Sequence, residues 1–211
     1  MSSASDELSV VSRETVIVVG NGMVSHRFCE AMRAKVGPER ARILVFGEET
    51  WPAYDRVQLT KYFELSSATP LLLGTSAWYA ERDIELHTAV RVDAVDLVSR
   101  EVVTDRGERH AFDRLVLATG SLAFVPPVPG IDREGVFVYR TIDDLDAIRA
   151  YASKAKRCAV LGGGLLGLEA ARAVQQCGVE AHVIEMAPRL MPRQIDAIGG
   201  RLLKRAIESM G

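Results

Sequence analysis

A glycine-rich turn directly after a short apolar run constrains this chain most. Residues 158–161 are apolar and lead into Gly-Gly-Gly-Leu-Leu-Gly at 162–167. In a strand-turn-helix unit, Gly162 allows the tight turn, Gly164 lets backbone N–H groups approach a pyrophosphate, and Gly167 lets the helix pack closely on the strand. The positive end of the helix dipole then favours the anionic phosphates. The pattern predicts a dinucleotide-binding unit.

The residues after this turn support the same interpretation. An apolar helical stripe is followed by Gly178, which ends the helix, and by a second apolar run at 181–184. The second run ends at Glu185, about 20 residues after the turn, where an acid hydrogen-bonds the adenosine ribose. Glu185 is therefore the predicted ribose ligand. A glycine-rich loop in an ordinary parallel sheet is the alternative.

A second, imperfect turn lies near the start of the chain. The apolar run 15–19 precedes Gly20-Asn21-Gly22-Met23-Val24-Ser25, so serine stands where the third glycine is expected. The next apolar run, 42–46, leads to Glu48. Glu48 is the candidate ribose acid of this unit, although an isolated glutamate can equally be a solvated loop residue. Two such units predict an α/β protein with two Rossmann-like dinucleotide-binding folds, the second of them truncated.

Composition narrows the class of function. The 211 residues are 48% hydrophobic and 26% charged with a formal net charge of -2, and they contain no basic stripe with interleaved aromatics. These properties argue against nucleic acid as a partner. No apolar run is long enough to span a bilayer, and the first seven residues lack the basic and apolar regions of a signal peptide. We therefore expect no membrane association and a cytoplasmic location.

Neither cysteines nor histidines form a recognisable reactive set. Cys29, Cys158 and Cys177 are too scattered for a disulfide framework, a dithiol relay or iron–sulfur ligation. The four histidines have no metal-ligand spacing, so no metal site is predicted. The chemistry must therefore come from bound cofactors.

The region between the two turns offers cofactor contacts. Residues 51–63 have little hydrophobic periodicity and mix aromatics with Arg56 and Lys61, so we expect a loop that either walls an aromatic cofactor or buries its own aromatics. Thr75 predicts a capped helix through Arg82, and alternation across 84–112 predicts an antiparallel layer. The run 115–120 predicts a buried strand that ends in small residues, which let backbone lie against a ligand.

Several segments resemble the large subunit of NAD(P)H-dependent nitrite reductases, within the wider FAD-dependent pyridine nucleotide-disulfide oxidoreductases. The resemblance covers essentially the whole chain after about Thr15. It is carried by Gly20–Val24 with the residues that follow, and by the segments 45–49, 52–57, 118–121, 139–146 and 187–192. The Asn-Gly-Met and Pro-Ala-Tyr-Asp-Arg strings favour this branch over ferredoxin and rubredoxin reductases.

The resemblance implies roles for particular residues. The residues expected to bind the ADP half of FAD are Gly20, Gly22 and Glu48, with the backbone at Val92 against the adenine and Ala118, Thr119 and Gly120 packed on the cofactor. Arg56 and Lys61 are expected near the flavin. Gly162, Gly164, Gly167 and Glu169 are expected to line the NAD(P)H site, with Glu185 at the ribose. Hydride would then pass from NAD(P)H to flavin.

The domain organisation follows from the two turns. Residues 1–124 are predicted as the FAD-binding domain and 125–211 as the NAD(P)-binding domain, with the proline-rich stretch 125–130 as the crossover. After Cys158 only two strands and two helices fit, whereas a dinucleotide-binding half needs about three parallel strands. We therefore expect an incomplete second domain, with weak FAD retention and no nitrite reduction by this chain alone. By resemblance, sirohaem and an iron–sulfur cluster belong to further domains.

Three functions remain open on these observations. The first is the NADH-to-FAD electron-entry module of an assimilatory nitrite reductase, with a redox partner domain or small subunit. The second is a stand-alone NADH-dependent reductase of a ferredoxin or rubredoxin. The third is a non-catalytic nucleotide-binding fragment. A carboxylate at Glu185 predicts NADH over NADPH, because it repels a 2′-phosphate. Arg189 is close enough in sequence to weaken this preference.

Overall fold

The computed structural model describes residues 13–211, which divide into two compact units. The first unit contains residues 13–55 and Leu72–Ser121, and the second contains Arg56–Leu71 and Leu122–Gly211. The strands form a four-stranded parallel sheet, a separate three-stranded antiparallel sheet and a two-stranded parallel sheet. This mixture confirms the predicted α/β class. The assignment of 1–124 to FAD and 125–211 to NAD(P) stays a prediction.

The first unit is built around the four-stranded parallel sheet. Its elements are β1 (Glu14–Val19), α1 (Met23–Arg33), β2 (Ala41–Phe46), α2 (Ser76–Ala80), β3 (Ile84–His87), β4 (Val92–Asp96), β5 (Glu101–Thr104), β6 (Arg109–Ala111) and β7 (Arg114–Leu117). The parallel sheet has the order β3-β2-β1-β7, and β4-β5-β6 form the antiparallel sheet. As predicted, the Thr75 side chain caps α2 by accepting a hydrogen bond from the Trp78 N–H.

Both faces of β1 and β2, the two strands flanked on both sides in the parallel sheet, are covered, which explains why these strands are largely apolar. Side chains alternate along β1, so Val16 and Val18 pack on one face with Cys29 of α1 and Tyr79 of α2. Ile17 and Val19 pack on the opposite face, in a cluster that includes Val102 of β5 and Phe112. The unit is therefore a three-layer structure with helices on one side and the antiparallel sheet on the other.

One strand was assigned to the wrong sheet by sequence reasoning. The antiparallel layer was expected to begin at Ile84, but β3 pairs in parallel with β2, with Ile84 opposite Ile43. Ile84 is buried in the helix-side cluster. Alternation in so short a run is the same for a parallel edge strand and an antiparallel one, so only the long-range pairing with β2 decides between them. The antiparallel expectation holds for residues 92–111.

The second unit contains a two-stranded parallel sheet and three α-helices. Its α and β elements are α3 (Ile142–Ala152), β8 (Arg157–Leu161), α4 (Leu165–Gln176), β9 (Glu180–Ile184) and α5 (Ala197–Glu208). Strand β8 pairs in parallel with β9, with Cys158 opposite Ala181. Helix α3 begins with a capping box between Thr141 and Asp144. The order strand, helix, strand, helix after Arg157 agrees with the sequence prediction.

The predicted loop at 51–63 is largely a 3-10 helix at Arg56–Glu64. Leu59 and Tyr62 are its buried residues, three positions apart, and this spacing is the 3-10 period that could have predicted it. The Tyr62 hydroxyl donates a hydrogen bond to Asp146 of α3 at 2.6 Å. Burial and this carboxylate raise the pKa of Tyr62 to about 12. The Arg149 guanidinium lies 4.4 Å from the Tyr62 ring centroid, so the 3-10 helix is anchored on α3.

The sheet and the last helix of the second unit both carry exposed apolar side chains. Leu161 of β8 and Ile184 of β9 are 61% and 53% exposed, and Ile198 and Leu202 of α5 are 62% and 60% exposed. The other side of β8 and β9 packs on Val174 of α4, Val179 and Ala152.

Within residues 13–211, every helix falls short of the length and apolarity that crossing a membrane requires.

Candidate functional site

The first glycine turn brings three predicted site residues together. Gly20 has φ +103°, and a Cβ at this position would lie 2.2 Å from the Ala118 carbonyl oxygen and 2.9 Å from the Thr119 nitrogen. Only glycine meets both conditions, since a side chain is strained at that φ and has no space. The turn after β1 therefore lies directly against the end of β7.

Gly22 has a different environment from Gly20. It precedes the first residue of α1, and a Cβ built on it would meet nothing within 4 Å. The fold therefore does not require glycine here. Open space beside a helix N-terminus is the arrangement in which a pyrophosphate can approach backbone N–H groups.

Ser25 occupies the position of the expected third glycine and is fully buried. Its hydroxyl donates a hydrogen bond to the Gly22 carbonyl oxygen at 2.8 Å. The side chain thus satisfies its polar group inside the first turn of α1, which is why burial of this hydroxyl is tolerated. The turn therefore accommodates serine at the position where a glycine was expected.

The second glycine turn repeats the geometry and includes the third glycine. Gly162 has φ +112°, and its N–H donates to the Ile184 carbonyl at 2.8 Å. A Cβ at Gly164 would meet nothing within 4 Å, whereas a Cβ at Gly167 would lie 1.9 Å from the Gly162 carbonyl oxygen. Gly167 is therefore required for the approach of α4 to the turn. The space at Gly164 is the part of the turn that a ligand can fill.

The N-termini of α1 and α4 differ from those of the other α-helices. Side chains of Thr75, Thr141 and Asp196 cap α2, α3 and α5, whereas the N-cap residues of α1 and α4 are Gly22 and Gly164, which have no side chain to offer. Neither α1 nor α4 has an acidic residue in its first turn. The open space beside Gly22 and Gly164, at the positive ends of these two helix dipoles, fits a dinucleotide pyrophosphate at each turn.

Glu185 follows β9 and is tied to the second turn. Its two carboxylate oxygens accept hydrogen bonds from the Gly163 N–H at 2.7 Å and from the Ala187 N–H at 2.8 Å. The Ala187 and Gly163 N–H groups lower the pKa of this carboxyl below its ordinary value, so it is ionised at neutral pH. Each oxygen keeps a further lone pair that can accept from a ribose hydroxyl.

Two of the remaining candidates of the first unit lie at the carboxyl ends of its parallel strands. Glu48 is exposed and follows β2, and a Cβ at the preceding Gly47 would lie 2.6 Å from the Asn21 Cβ. This contact brings the end of β2 against the first glycine turn. Gly120, with φ +72°, follows β7, whereas Val92 is the first residue of the antiparallel strand β4. Ligands of open α/β sheets bind outside the carboxyl ends of the parallel strands.

Three other candidates belong to the second unit. Arg56 donates a hydrogen bond to the Arg140 carbonyl at 3.0 Å, and Lys61 is exposed and donates to Gln58 at 2.6 Å. Glu169 is half-buried in α4. Burial, with the Glu169 carboxylate contributing, raises the pKa of Tyr139. The expected roles of Arg56 and Lys61 beside a flavin, and of Glu169 beside a nicotinamide, stay predictions.

Two polar residues of the first unit were not singled out from the sequence. Asn21 accepts a hydrogen bond from the Tyr79 hydroxyl at 3.0 Å and donates to the Trp51 carbonyl at 3.3 Å. Burial raises the pKa of Tyr79, which keeps its hydroxyl a donor. These contacts link the glycine turn to α2 and to the segment after β2. The sequence gives little indication of the bond between Asn21 and Tyr79, because the two residues are 58 positions apart.

Over the residues that the structure describes, no group of three or more His, Cys, Asp or Glu side chains could hold a metal ion. All three cysteines are free, and Cys29 is buried. Burial raises the pKa of Cys29 to about 12, so this thiol is not ionised at neutral pH.

Comparison with known proteins agrees with this geometry. The chain is 47% identical over 201 residues to the nitrite reductase [NAD(P)H] large subunit of Klebsiella oxytoca, covering 95% of this chain and 21% of that protein. It is 44% identical to the nitrite reductase (NADH) large subunit of Escherichia coli (strain K12), covering 95% of this chain and 24% of that protein. The chain thus spans about a fifth to a quarter of these relatives, and the predicted resemblance is confirmed.

A solved structure and a family model extend the comparison. The NADH:rubredoxin oxidoreductase of Clostridium acetobutylicum superimposes with a TM-score of 0.83 at 25% identity, covering 95% of this chain and 52% of that one. The model that describes pyridine nucleotide-disulphide oxidoreductases matches residues 14–211, from the start of β1 to the last residue. The chain belongs to the pyridine nucleotide-disulphide oxidoreductase family.

Proposed function

We propose that this chain is the electron-entry module of a flavin-dependent NADH oxidoreductase of the nitrite reductase type. The observation that carries the proposal is the pair of glycine turns, in which Gly22 and Gly164 both border open space at a helix N-terminus without a side-chain cap. Two such turns fit two dinucleotides. When bound, the nicotinamide would supply a hydride and the flavin would accept it.

The first turn is proposed to hold FAD. Gly20 and Gly22 would admit the pyrophosphate, and Glu48 would accept hydrogen bonds from the adenosine ribose. The packing of Gly20 on the Ala118 and Thr119 backbone supports this assignment, because it brings the turn after β1 against the residues that follow β7. Val92 and Gly120 would border the cofactor, and Arg56 and Lys61 would lie near the flavin.

The second turn is proposed to hold NADH, with Gly162, Gly164, Gly167 and Glu169 lining the site. Glu185 would accept hydrogen bonds from the adenosine ribose hydroxyls. Its carboxylate is fixed by two backbone N–H groups and ionised, so it would repel the 2′-phosphate of NADPH. We therefore propose a preference for NADH.

The terminal electron acceptor is proposed from the relatives. Identities of 47% and 44% to nitrite reductase large subunits favour nitrite, with sirohaem and an iron–sulfur cluster in domains outside this chain. A partner domain or small subunit would then receive the electrons. A second candidate is a stand-alone reductase of a rubredoxin or ferredoxin, supported by the fold shared with an NADH:rubredoxin oxidoreductase at 25% identity.

Titration of the purified chain with FAD tests the first site. We expect saturable binding, read from the change in flavin fluorescence. Gly22→Val should weaken binding by on the order of a hundredfold, because the side chain fills the space beside the uncapped helix N-terminus. NADH binding at the second turn is the internal control. If Gly22→Val bound FAD as tightly as the unmodified chain, the first turn would not be the FAD site.

A further inference from the structure

The segment between β9 and α5 is folded onto the second glycine turn. The Met191 N–H donates to the Gly163 carbonyl at 2.8 Å. A Cβ at Gly163 would lie 2.6 Å from Leu190 Cδ2 and 3.0 Å from Glu185 Cβ. Leu190 and Glu185 therefore flank the same backbone position, so the residues just after Glu185 border the ribose end of the proposed NADH site.

Arg189 is the cation next to Leu190 in this segment, and its guanidinium is already engaged. Its Nε donates to the Ile195 carbonyl and its Nη2 to the Pro192 carbonyl, both at 3.1 Å. The planar guanidinium suits two carbonyls at fixed positions, and a lysine ammonium cannot reproduce this fork. Arg189 thus links residues of the same segment through its two hydrogen bonds.

The aliphatic part of the Arg189 side chain packs against Gly200. A Cβ at the buried Gly200 would lie 3.0 Å from both Cβ and Cδ of Arg189. Gly200 lies in the first turn of α5, which the Asp196 side chain caps through the Gly199 N–H at 2.7 Å. The absence of a side chain at 200 is therefore what admits the Arg189 stem beside α5.

We propose that Arg189 is a specificity-determining positioning residue, held away from nucleotide binding so that Glu185 alone decides between NADH and NADPH. The inference rests on the proposed NADH site. A free arginine or lysine near the ribose would attract a 2′-phosphate and offset the repulsion by Glu185. Because the protein engages this cation with the Pro192 and Ile195 carbonyls, Arg189 does not offset the carboxylate.

Two substitutions that both remove the fork, but differ in charge, separate this role from simple loop anchoring. Arg189→Lys leaves a cation that is no longer held, and Arg189→Met leaves a side chain of similar length without charge. The affinities for NADH and NADPH are measured by calorimetric titration of the full chain. We expect Arg189→Met to weaken both nucleotides about equally. Arg189→Lys should shift the affinity ratio toward NADPH by on the order of tenfold relative to Arg189→Met.

Two further measurements complete the test: the dependence on ionic strength, and a second substitution that displaces the Arg189 side chain. The gain in Arg189→Lys should shrink as ionic strength rises, which loss of an anchor alone would not produce. Gly200→Ala, which crowds the Arg189 stem, should shift the ratio in the same direction, and Gly200→Ala combined with Arg189→Met should not. Arg193→Gln is the matched control for charge in the same segment and should leave the ratio unchanged. Gly200→Ala keeps the proposal testable even if one Arg189 variant folds poorly, because it leaves Arg189 itself unchanged.

Three outcomes are decisive. Equal ratios for Arg189→Lys and Arg189→Met would overturn the proposal, and so would an unmodified chain that binds NADPH as tightly as NADH. An unmodified chain that binds neither nucleotide would instead refute the NADH site itself. Failure of the inference and failure of the proposed function are therefore distinguishable.

Discussion

Gly164→Val is expected to weaken NADH binding by on the order of a hundredfold while leaving the fold intact. A side chain at 164 would enter the open space in front of the α4 N-terminus, where the pyrophosphate would meet backbone N–H groups. The backbone at Gly164 has φ -81° and ψ -177°, an extended conformation that valine adopts without strain. NADH titration measures the loss, and denaturant unfolding should change by no more than about 1 kcal/mol.

FAD binding provides the control for this variant. Because Gly22 and Gly164 belong to different units, Gly164→Val should bind FAD as the unmodified chain does. Unchanged NADH binding in Gly164→Val would mean that the second glycine turn serves only the fold.

Gly20→Ala is expected to lower the free energy of unfolding by on the order of 3 kcal/mol. About 1–3 kcal/mol comes from forcing a methyl group into a packed position, and about 1–2 kcal/mol from a positive φ in a non-glycine residue. The added Cβ would lie 2.2 Å from the Ala118 carbonyl oxygen and 2.6 Å from its carbonyl carbon, and these backbone atoms cannot rotate away. Denaturant unfolding followed by circular dichroism measures the change.

Gly22→Ala is the matched control, since it adds the same methyl group two residues away where nothing lies within 4 Å. It should change stability by about 1 kcal/mol or less. Equal unfolding midpoints for Gly20→Ala and Gly22→Ala would contradict the close approach of the first turn to β7.

The glycine turns could be predicted because their requirements are local. A positive φ at Gly20 and Gly162, and contact between Gly167 and Gly162, follow from a strand, a tight turn and a helix within a few residues of each other. The replacement of the third glycine by Ser25 was visible in the sequence. Its compensation, a hydrogen bond from the hydroxyl to the Gly22 carbonyl, depends on the folded turn.

Features that depend on distant pairing could not be predicted in the same way. The direction of β3 is decided by its pairing with β2, about 40 residues earlier, and its alternation fits either direction. The 3-10 helix at Arg56–Glu64 is anchored by Arg149 and Asp146, which lie more than 80 residues later. Residues 51–63 offer only the three-residue spacing of Leu59 and Tyr62, which does not indicate these distant contacts.

The second site shows the same division. Glu185 could be assigned to the ribose from its distance to the glycine turn, but its bond to the Gly163 N–H joins residues 22 positions apart. Arg189 was expected to oppose the NADH preference because it is close in sequence. The structure instead engages its guanidinium with the Pro192 and Ile195 carbonyls, a pairing that composition and spacing do not indicate.

Anaerobic titration of the FAD-saturated chain with NADH, followed by visible flavin absorbance, tests most directly whether the two sites work together. The account predicts that NADH bleaches the bound flavin in the unmodified chain. Gly164→Val, saturated with FAD to the same extent, should bleach far more slowly because it lacks the nicotinamide site. Flavin that stays oxidised while both nucleotides are bound would contradict the assignment of this chain as an NADH-to-FAD electron-entry module.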